Sequence, residues 1–321
     1  MKRKILVTGG TGFVGGALLK RLVGCTDTQV LAWIRRVDSL LPVGVIPVPV
    51  SQSRIFAAGS QIDGVDTVIH CAARVHVMKE KVADPLAEFR KVNVDGTLEL
   101  ARSAIASGAR RFIFISSIKV NGESTPPGTP FTADDVPQPV DAYAISKFEA
   151  ESALRALASE TGLEVVIIRP PLVYGPGVKG NFNKMMGWLA TGLPLPLGAV
   201  SNRRSFVALD NLVDLAVTCI NHPAAANEVF LVSDDRDFCT TELLRRMASA
   251  LGRSARLWPV PLSCLSAAAG LLGKRGAVDR LCSSLQVDIG KTRRLLDWSP
   301  RVGVDEAMEK TAADFLRRSS Q

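Results

Sequence analysis

Hydrophobic residues in the first half of the chain switch between short β-branched runs and longer stretches spaced for one face of a helix. Lys4 to Thr8 predicts a buried strand, and Phe13 to Val23 a helix. Val30–Ile34, Val43–Val50 and Thr67–His70 predict further strands. Ala83 to Ser107 predicts a long helix stopped at Gly108, and Arg111–Ser116 a strand after it. Tyr143–Thr161 predicts a strong helix ended by Gly162, and Glu164–Arg169 a closing strand. This alternation predicts an α/β fold, a doubly wound parallel sheet with helices on both faces.

The pattern changes past Arg169. Pro170, Pro171, Gly175, Pro176, Gly177 and Gly180 form one breaker-rich stretch, and Gly192, Pro194, Pro196 and Gly198 a second. We expect residues 1–170 to form the first domain and 171–321 mainly a smaller lobe. A helix near Asp210–Asn221 should return to the first domain, so that about 206–222 interleaves the two. Leu257 to Gly273 is the most apolar helix-like stretch, broken early by Pro259, Pro261 and Ser263. It reads as a core or lid helix and not as a membrane anchor.

Composition narrows the class. A hydrophobic content of 47% leaves ample apolar surface for a core, and the formal charge of +8 suits an anionic ligand. Nucleic acid is a poor fit, because no basic run with interleaved aromatics occurs and aromatics are only 6%. The cysteines (Cys25, Cys71, Cys219, Cys239, Cys264, Cys282) are scattered without a C-x-x-C pair, which reads as reduced thiols and no zinc framework. Met1-Lys2-Arg3-Lys4 is basic, but a short strand and glycines follow it in place of a signal-peptide apolar core. No run is long enough to span a bilayer, and the expected location is the cytoplasm.

The first strand runs into Thr8-Gly9-Gly10-Thr11-Gly12-Phe13-Val14-Gly15 and then a helix. Strand, glycine loop and helix in this order are the context of a dinucleotide site. The glycines permit the tight turn and the approach of pyrophosphate, and the helix N-terminus offers free N–H groups. Gly9, Thr11, Gly12, Phe13, Val14 and Gly15 are therefore expected to bind the cofactor. Ile34-Arg35-Arg36-Val37-Asp38 falls where an acidic residue would hold the ribose of NAD. Arg35 and Arg36 come first, so the reading favours NADP(H) with NAD(H) as the alternative.

Tyr143 and Lys147 are one helical turn apart on one face, and Ser117 follows a strand at the edge a parallel sheet presents to ligands. A nearby ammonium is expected to bring the phenol pKa down toward neutrality. Ser117 would then hold a substrate oxygen while Tyr143 exchanges a proton with it.

These residues resemble the extended short-chain dehydrogenase/reductase family over nearly the whole chain. Further matching features are His70-Cys71-Ala72-Ala73, Asn93-Val94-Asp95-Gly96-Thr97, Ser116-Ser117, and Arg169-Pro170 through Gly177. The resemblance implies that Cys71, Ala72, Ala73, Asn93, Ser116, Arg169 and Pro170 line the cofactor and that Lys147 also holds its ribose. The family's acidic adenine contact is missing, since Val48-Pro49-Val50-Ser51 stands there. It also implies a UDP-linked sugar substrate, contacted by Ser117, Lys119, Asn181, Arg204 and Arg280, and a homodimer through the 83–107 and 143–161 helices.

Family dehydratases carry an acidic pair beside this serine, and Ser117-Ile118-Lys119 has none, which argues against dehydration. The run Ser116–Glu123, with 170–182 and 193–205, is similar to bacterial UDP-N-acetylquinovosamine dehydrogenases. The reaction so implied is 4-keto reduction of a UDP-linked 2-acetamido-2,6-dideoxy-4-hexulose for surface polysaccharide. A UDP-hexose or UDP-N-acetylhexosamine 4-epimerase is the alternative, and a non-catalytic regulator a remote one, since Tyr143 and Lys147 are both retained. His70 reads as a packing residue, His222 as a loop residue, and His76 as a surface or substrate residue, none with a second ligand at metal spacing.

Overall fold

The computed structural model describes residues 2–35, 40–50, 59–75, 84–126, 128–271 and 275–320, without the side chains of 59, 60, 269, 275, 277, 279 and 280. Arg36 and His76, and the side chain of Arg280, lie outside the described residues. Strands β1 (Arg3–Thr8), β2 (Thr28–Ile34), β3 (Ile46–Pro49), β4 (Val65–His70), β5 (Arg111–Ile115) and β6 (Glu164–Arg169) fall within a few residues of the expected positions. With β9 (Val229–Leu231) they form a seven-stranded sheet in the order β3-β2-β1-β4-β5-β6-β9. Every neighbouring pair in it is parallel. Chain order reverses at β1 and β4, which opens a crevice at the carboxyl ends of those strands.

Alternate strand residues sort to opposite faces, as the two-residue period of a strand requires. Ile5, Val7, Ile113, Ile115, Val166 and Ile168 face α1 (Phe13–Val23) and the later helix α6 (Leu209–Asn221). Leu6, Val68, Phe112, Phe114, Val165 and Ile167 face α3 (Gly96–Ala106) and α4 (Ala142–Thr161). The helix expected over 83–107 is interrupted: α2 (Pro85–Arg90) passes through one π-helical turn, Lys91–Asp95, into α3. Asp141 caps α4 by accepting from the Ala144 amide at 2.7 Å, and Gly162 ends it at φ +74°.

Helix α6 packs with α1 on the main sheet, and β9 completes that sheet. A three-stranded sheet, β10 (Asp237–Phe238), β8 (Arg204–Ala208) and β7 (Leu172–Tyr174), carries the second half. Around it α5 (Gly180–Thr191), α7 (Thr240–Ala250) and α11 (Val304–Ser319) bury Tyr174, Phe182, Phe206, Phe238 and Met308. The remaining helices are α8 (Leu262–Leu271), α9 (Arg275–Cys282) and α10 (Gly290–Leu296). The apolar 257–273 stretch is not a core helix. Seven of the α8 residues, including Leu262, Cys264 and Leu271, are exposed, and prolines 259 and 261 stand just before the helix. Among the described residues no helix is long and apolar enough to cross a membrane.

Candidate functional site

The glycine loop joins β1 to α1 at the crevice. Gly9 has φ +68°, and a Cβ there would lie 2.8 Å from the Ala72 amide nitrogen. A Cβ on Gly15 would lie 2.2 Å from the Gly9 carbonyl oxygen, so the helix meets the loop at backbone contact. Gly12 caps α1 in an extended conformation with no side-chain bond to the helix, and the first turn holds no acidic residue. A helix N-terminus left in this state suits a pyrophosphate. The loop thus fits the dinucleotide expected there, whose phosphates Thr11, Gly12, Phe13, Val14 and Gly15 would meet. Arg35 is exposed just past β2, where the ribose of such a cofactor would reach.

His70 anchors this loop. It is buried at the end of β4, stacked on Phe114 at 5.8 Å between ring centroids. Thr97 donates its hydroxyl to the Asn93 carbonyl at 2.7 Å, so toward His70 Nε2, at 3.0 Å, it accepts. Nε2 therefore carries the proton, and Nδ1 accepts from the Thr8 hydroxyl at 2.7 Å. The Thr8 oxygen in turn accepts from the Ala72 amide at 3.2 Å. Burial, with Lys147 nearby, pulls the imidazole down to about 3, and it stays neutral. It is a packing residue, and its ring also ties β1 and β4 to the first turn of α3.

The residues after β4 are held in the same way. Asn93 is buried and spends its amide on the Arg74 amide (2.8 Å), the Arg74 carbonyl (3.1 Å) and Ser146 (3.0 Å). It fixes the Cys71–Arg74 segment in place, so its contribution to a cofactor face runs through Ala72 and Ala73. Burial pushes the Cys71 thiol up to about 12, which keeps it protonated beside Lys147.

Ser117, Tyr143 and Lys147 converge where β5 ends and α4 begins. Tyr143 shares a hydrogen bond with Ser117, and its ring meets Phe89 edge-on at 6.1 Å. Lys147 is buried, donates to the Ile115 carbonyl at 2.7 Å, and lies 3.8 Å above the Phe114 ring. Here the structure corrects the sequence argument. Burial and then Asp141 push the Tyr143 phenol up to about 12 in the ligand-free chain. Burial likewise pulls Lys147 down to about 7, against the pull of Glu151. The shared helical face is real, but Lys147 reaches past the tyrosine to the strand end.

The other expected contacts are arranged less simply. Ser116 and Arg169 do not open toward a ligand. Both are buried, and both bind Glu151, one turn beyond Lys147 on α4. Arg169 also donates to Asn121 at 2.9 Å. The Ser116 and Arg169 side chains thus tie the ends of β5 and β6 to α4, so any part they play toward a cofactor would fall to their backbone. Pro170 receives the Ile118 amide on its carbonyl at 2.9 Å and so aligns the serine segment. Lys119 is half-exposed and paired with Asp141 and, at 3.1 Å, with Glu123, beside the cap of the Tyr143 helix. Asn181 is exposed in the first turn of α5, and Arg204 turns a guanidinium nitrogen to the Ser283 carbonyl at 3.0 Å. Sequence reasoning missed Glu151 altogether. Its signal was a charged residue on the inner side of α4, in register with Lys147.

A dinucleotide loop at a topological switch point, with serine, tyrosine and lysine on the neighbouring strand and helix, defines an enzyme of the extended short-chain dehydrogenase/reductase type. The chain belongs to the NAD dependent epimerase/dehydratase family, whose model matches residues 5–233. It is 48% identical over 327 residues to a UDP-glucose 4-epimerase of Vibrio cholerae, spanning 100% of this chain and 98% of that one. The fold matches a UDP-glucose 4-epimerase from Thermotoga maritima solved with UDP-glucose, at a TM-score of 0.77 and 22% identity over 99% of this chain and 100% of that one. It also matches a UDP-glucuronic acid 4-epimerase from Bacillus cereus in complex with NAD, at a TM-score of 0.77 and 18% identity, covering 98% and 99%.

Proposed function

We propose that the protein interconverts the C4 epimers of a UDP-linked hexose or N-acetylhexosamine. The observation that carries this reading is the full-length 48% identity to a UDP-glucose 4-epimerase. It favours the alternative over the 4-ketoreductase expected from the Ser116–Glu123 run. The site fits epimerisation and 4-keto reduction alike, since each needs one proton relay, and argues against dehydration. Dehydration needs a further acid and base, and Lys119 beside the serine is held by Asp141 and Glu123.

In this reading Ser117 holds the C4 oxygen, and Tyr143 takes its proton and later gives it back. A nicotinamide held by the glycine loop would supply the hydride exchange at C4, and the positive charge of its oxidised ring would favour the Tyr143 phenolate. Lys147, as ammonium, adds to that charge and binds the ribose. Asn181, Arg204 and Arg280 are our candidates for the nucleotide end of the sugar, where a planar guanidinium suits a diphosphate. Arg35 would suit a 2′-phosphate, and mass spectrometry of the cofactor released on denaturation distinguishes NADP from NAD.

The deciding assay supplies UDP-glucose or UDP-N-acetylglucosamine and follows the galacto-epimer by chromatography. Interconversion without net consumption of nicotinamide supports the proposal. Stoichiometric oxidation of reduced nicotinamide by a UDP-linked 4-keto-6-deoxy-N-acetylhexosamine, with no interconversion, restores the ketoreductase.

A further inference from the structure

Two stretches of the second half lack acidic residues. None occurs between Glu164 and Asp210, or between Glu242 and Asp279. The structure brings the two together. The Leu195 amide donates to the Arg256 carbonyl at 2.8 Å, the Trp258 amide to the Leu195 carbonyl at 2.9 Å, and the Gly198 amide to the Trp258 carbonyl at 2.8 Å. This joins the segment after α5 to the segment leading into α8.

Both segments and the elements they join carry exposed apolar side chains. Trp258 is 62% exposed, Leu193 66%, Trp188 49%, and Leu262 and Leu271 on α8 are 48% and 90%. Helix α8 itself, Leu-Ser-Cys-Leu-Ser-Ala-Ala-Ala-Gly-Leu, has no charged side chain. Single exposed apolar residues are ordinary, but an uncharged helix with most of its residues in water, four residues after an exposed tryptophan, is not. Arginines rim the face. Arg253 and Arg256 are exposed and line one recess with Thr191 and Gly192 at the end of α5. Lys184 and Arg203 are exposed on the same acid-free stretches, and Lys274 and Arg275 follow α8 in the sequence.

We propose that this face seats the protein on an anionic phospholipid bilayer, with Trp258 and α8 entering the interfacial layer and Arg253 and Arg256 meeting lipid phosphate. Tryptophan prefers the headgroup level of a membrane, where its apolar ring and its N–H are both satisfied. An apolar helix lying in that plane contributes buried area, and juxtaposed arginines add attraction to anionic lipid. The absence of carboxylates on both stretches removes the repulsion that an acidic rim would bring. The binding is peripheral, since α8 is only 10 residues long. It revises the reading of this stretch as a core or lid helix. The inference is independent of which sugar the enzyme turns over.

The test is flotation of the full chain with vesicles of phosphatidylcholine alone or mixed with phosphatidylglycerol. We expect binding to the mixed vesicles, little to neutral ones, and a fall with added salt. Trp258→Ser with Leu262→Ser should abolish flotation while leaving sugar turnover in solution unchanged. Arg253→Ser with Arg256→Ser should weaken it by roughly fivefold per charge removed, and these exposed arginines can be replaced without disturbing a core. Absence of flotation with the mixed vesicles overturns the proposal. So does sedimentation velocity in which the Trp258 and Leu262 replacements split an oligomer, since the face would then belong to a second copy of the chain.

Discussion

The guanidinium of Arg169 lies edge to edge with the carboxylate of Glu151, Nε donating to Oε1 at 3.0 Å and Nη2 to Oε2 at 2.6 Å, with both side chains only 2% exposed. This buried pair connects the end of β6 to α4 directly beneath Ser116. Removing one partner leaves a charge in the interior with nothing to balance it. Glu151→Gln should therefore destabilise the fold by about 3–5 kcal/mol, measured by urea denaturation. Replacing both, Glu151→Leu with Arg169→Met, should recover much of that loss. Equal destabilisation by the single and double changes would show that the pair does not act as a unit.

Tyr143 carries its phenol hydrogen-bonded to Ser117. Tyr143→Phe keeps the ring against Phe89 and removes the proton relay. Sugar turnover should fall by roughly a hundredfold to ten-thousandfold, while cofactor affinity, read by fluorescence titration, changes little. A variant with unchanged turnover would remove Tyr143 from the mechanism.

His70 links its pKa to stability with a definite sign. Its folded value, about 3, lies below the unfolded 6.5, so the unfolded chain binds more protons between these limits. Stability should therefore be fully present above pH 6.5 and decline as pH falls toward 3, by on the order of a few kcal/mol. His70→Gln should lower overall stability at pH 7 and flatten that slope. Denaturation curves from pH 7 to pH 4 read both effects, and an unchanged slope would show that the ring is protonated in the fold.

Gly15 meets the Gly9 carbonyl too closely for any side chain. Gly15→Ala must push α1 away from the loop, at about 1–3 kcal/mol for an overpacked contact. The dinucleotide should bind at least about tenfold more weakly, checked by titration and by the cofactor retained on purification. Gly108→Ala offers a control, since Gly108 has φ +86° and nothing lies within 4 Å of its Cβ position. It should cost stability without touching cofactor affinity.

The order of strands and helices through Arg169, the glycine loop and the Ser117, Tyr143 and Lys147 set were all legible in the sequence. Each rests on local rules: strand period, helical spacing, glycine where backbone must approach backbone, and residues one helical turn apart. The same rules could not show that Arg169 turns inward to Glu151, because that depends on two elements meeting across the interior.

The chain by itself thus determined the parallel sheet, the crevice at its carboxyl edge and the chemistry placed there, because these follow from periodicity and residue type along one segment at a time. Only the tertiary structure decided how those groups are charged. It buried Lys147 over Phe114 and raised the Tyr143 phenol, where spacing alone predicted a lowered one. It also left α8 in water although its composition suggested the core. Desolvation and exposure depend on what packs against a residue from elsewhere in the chain, and a local pattern carries no record of that.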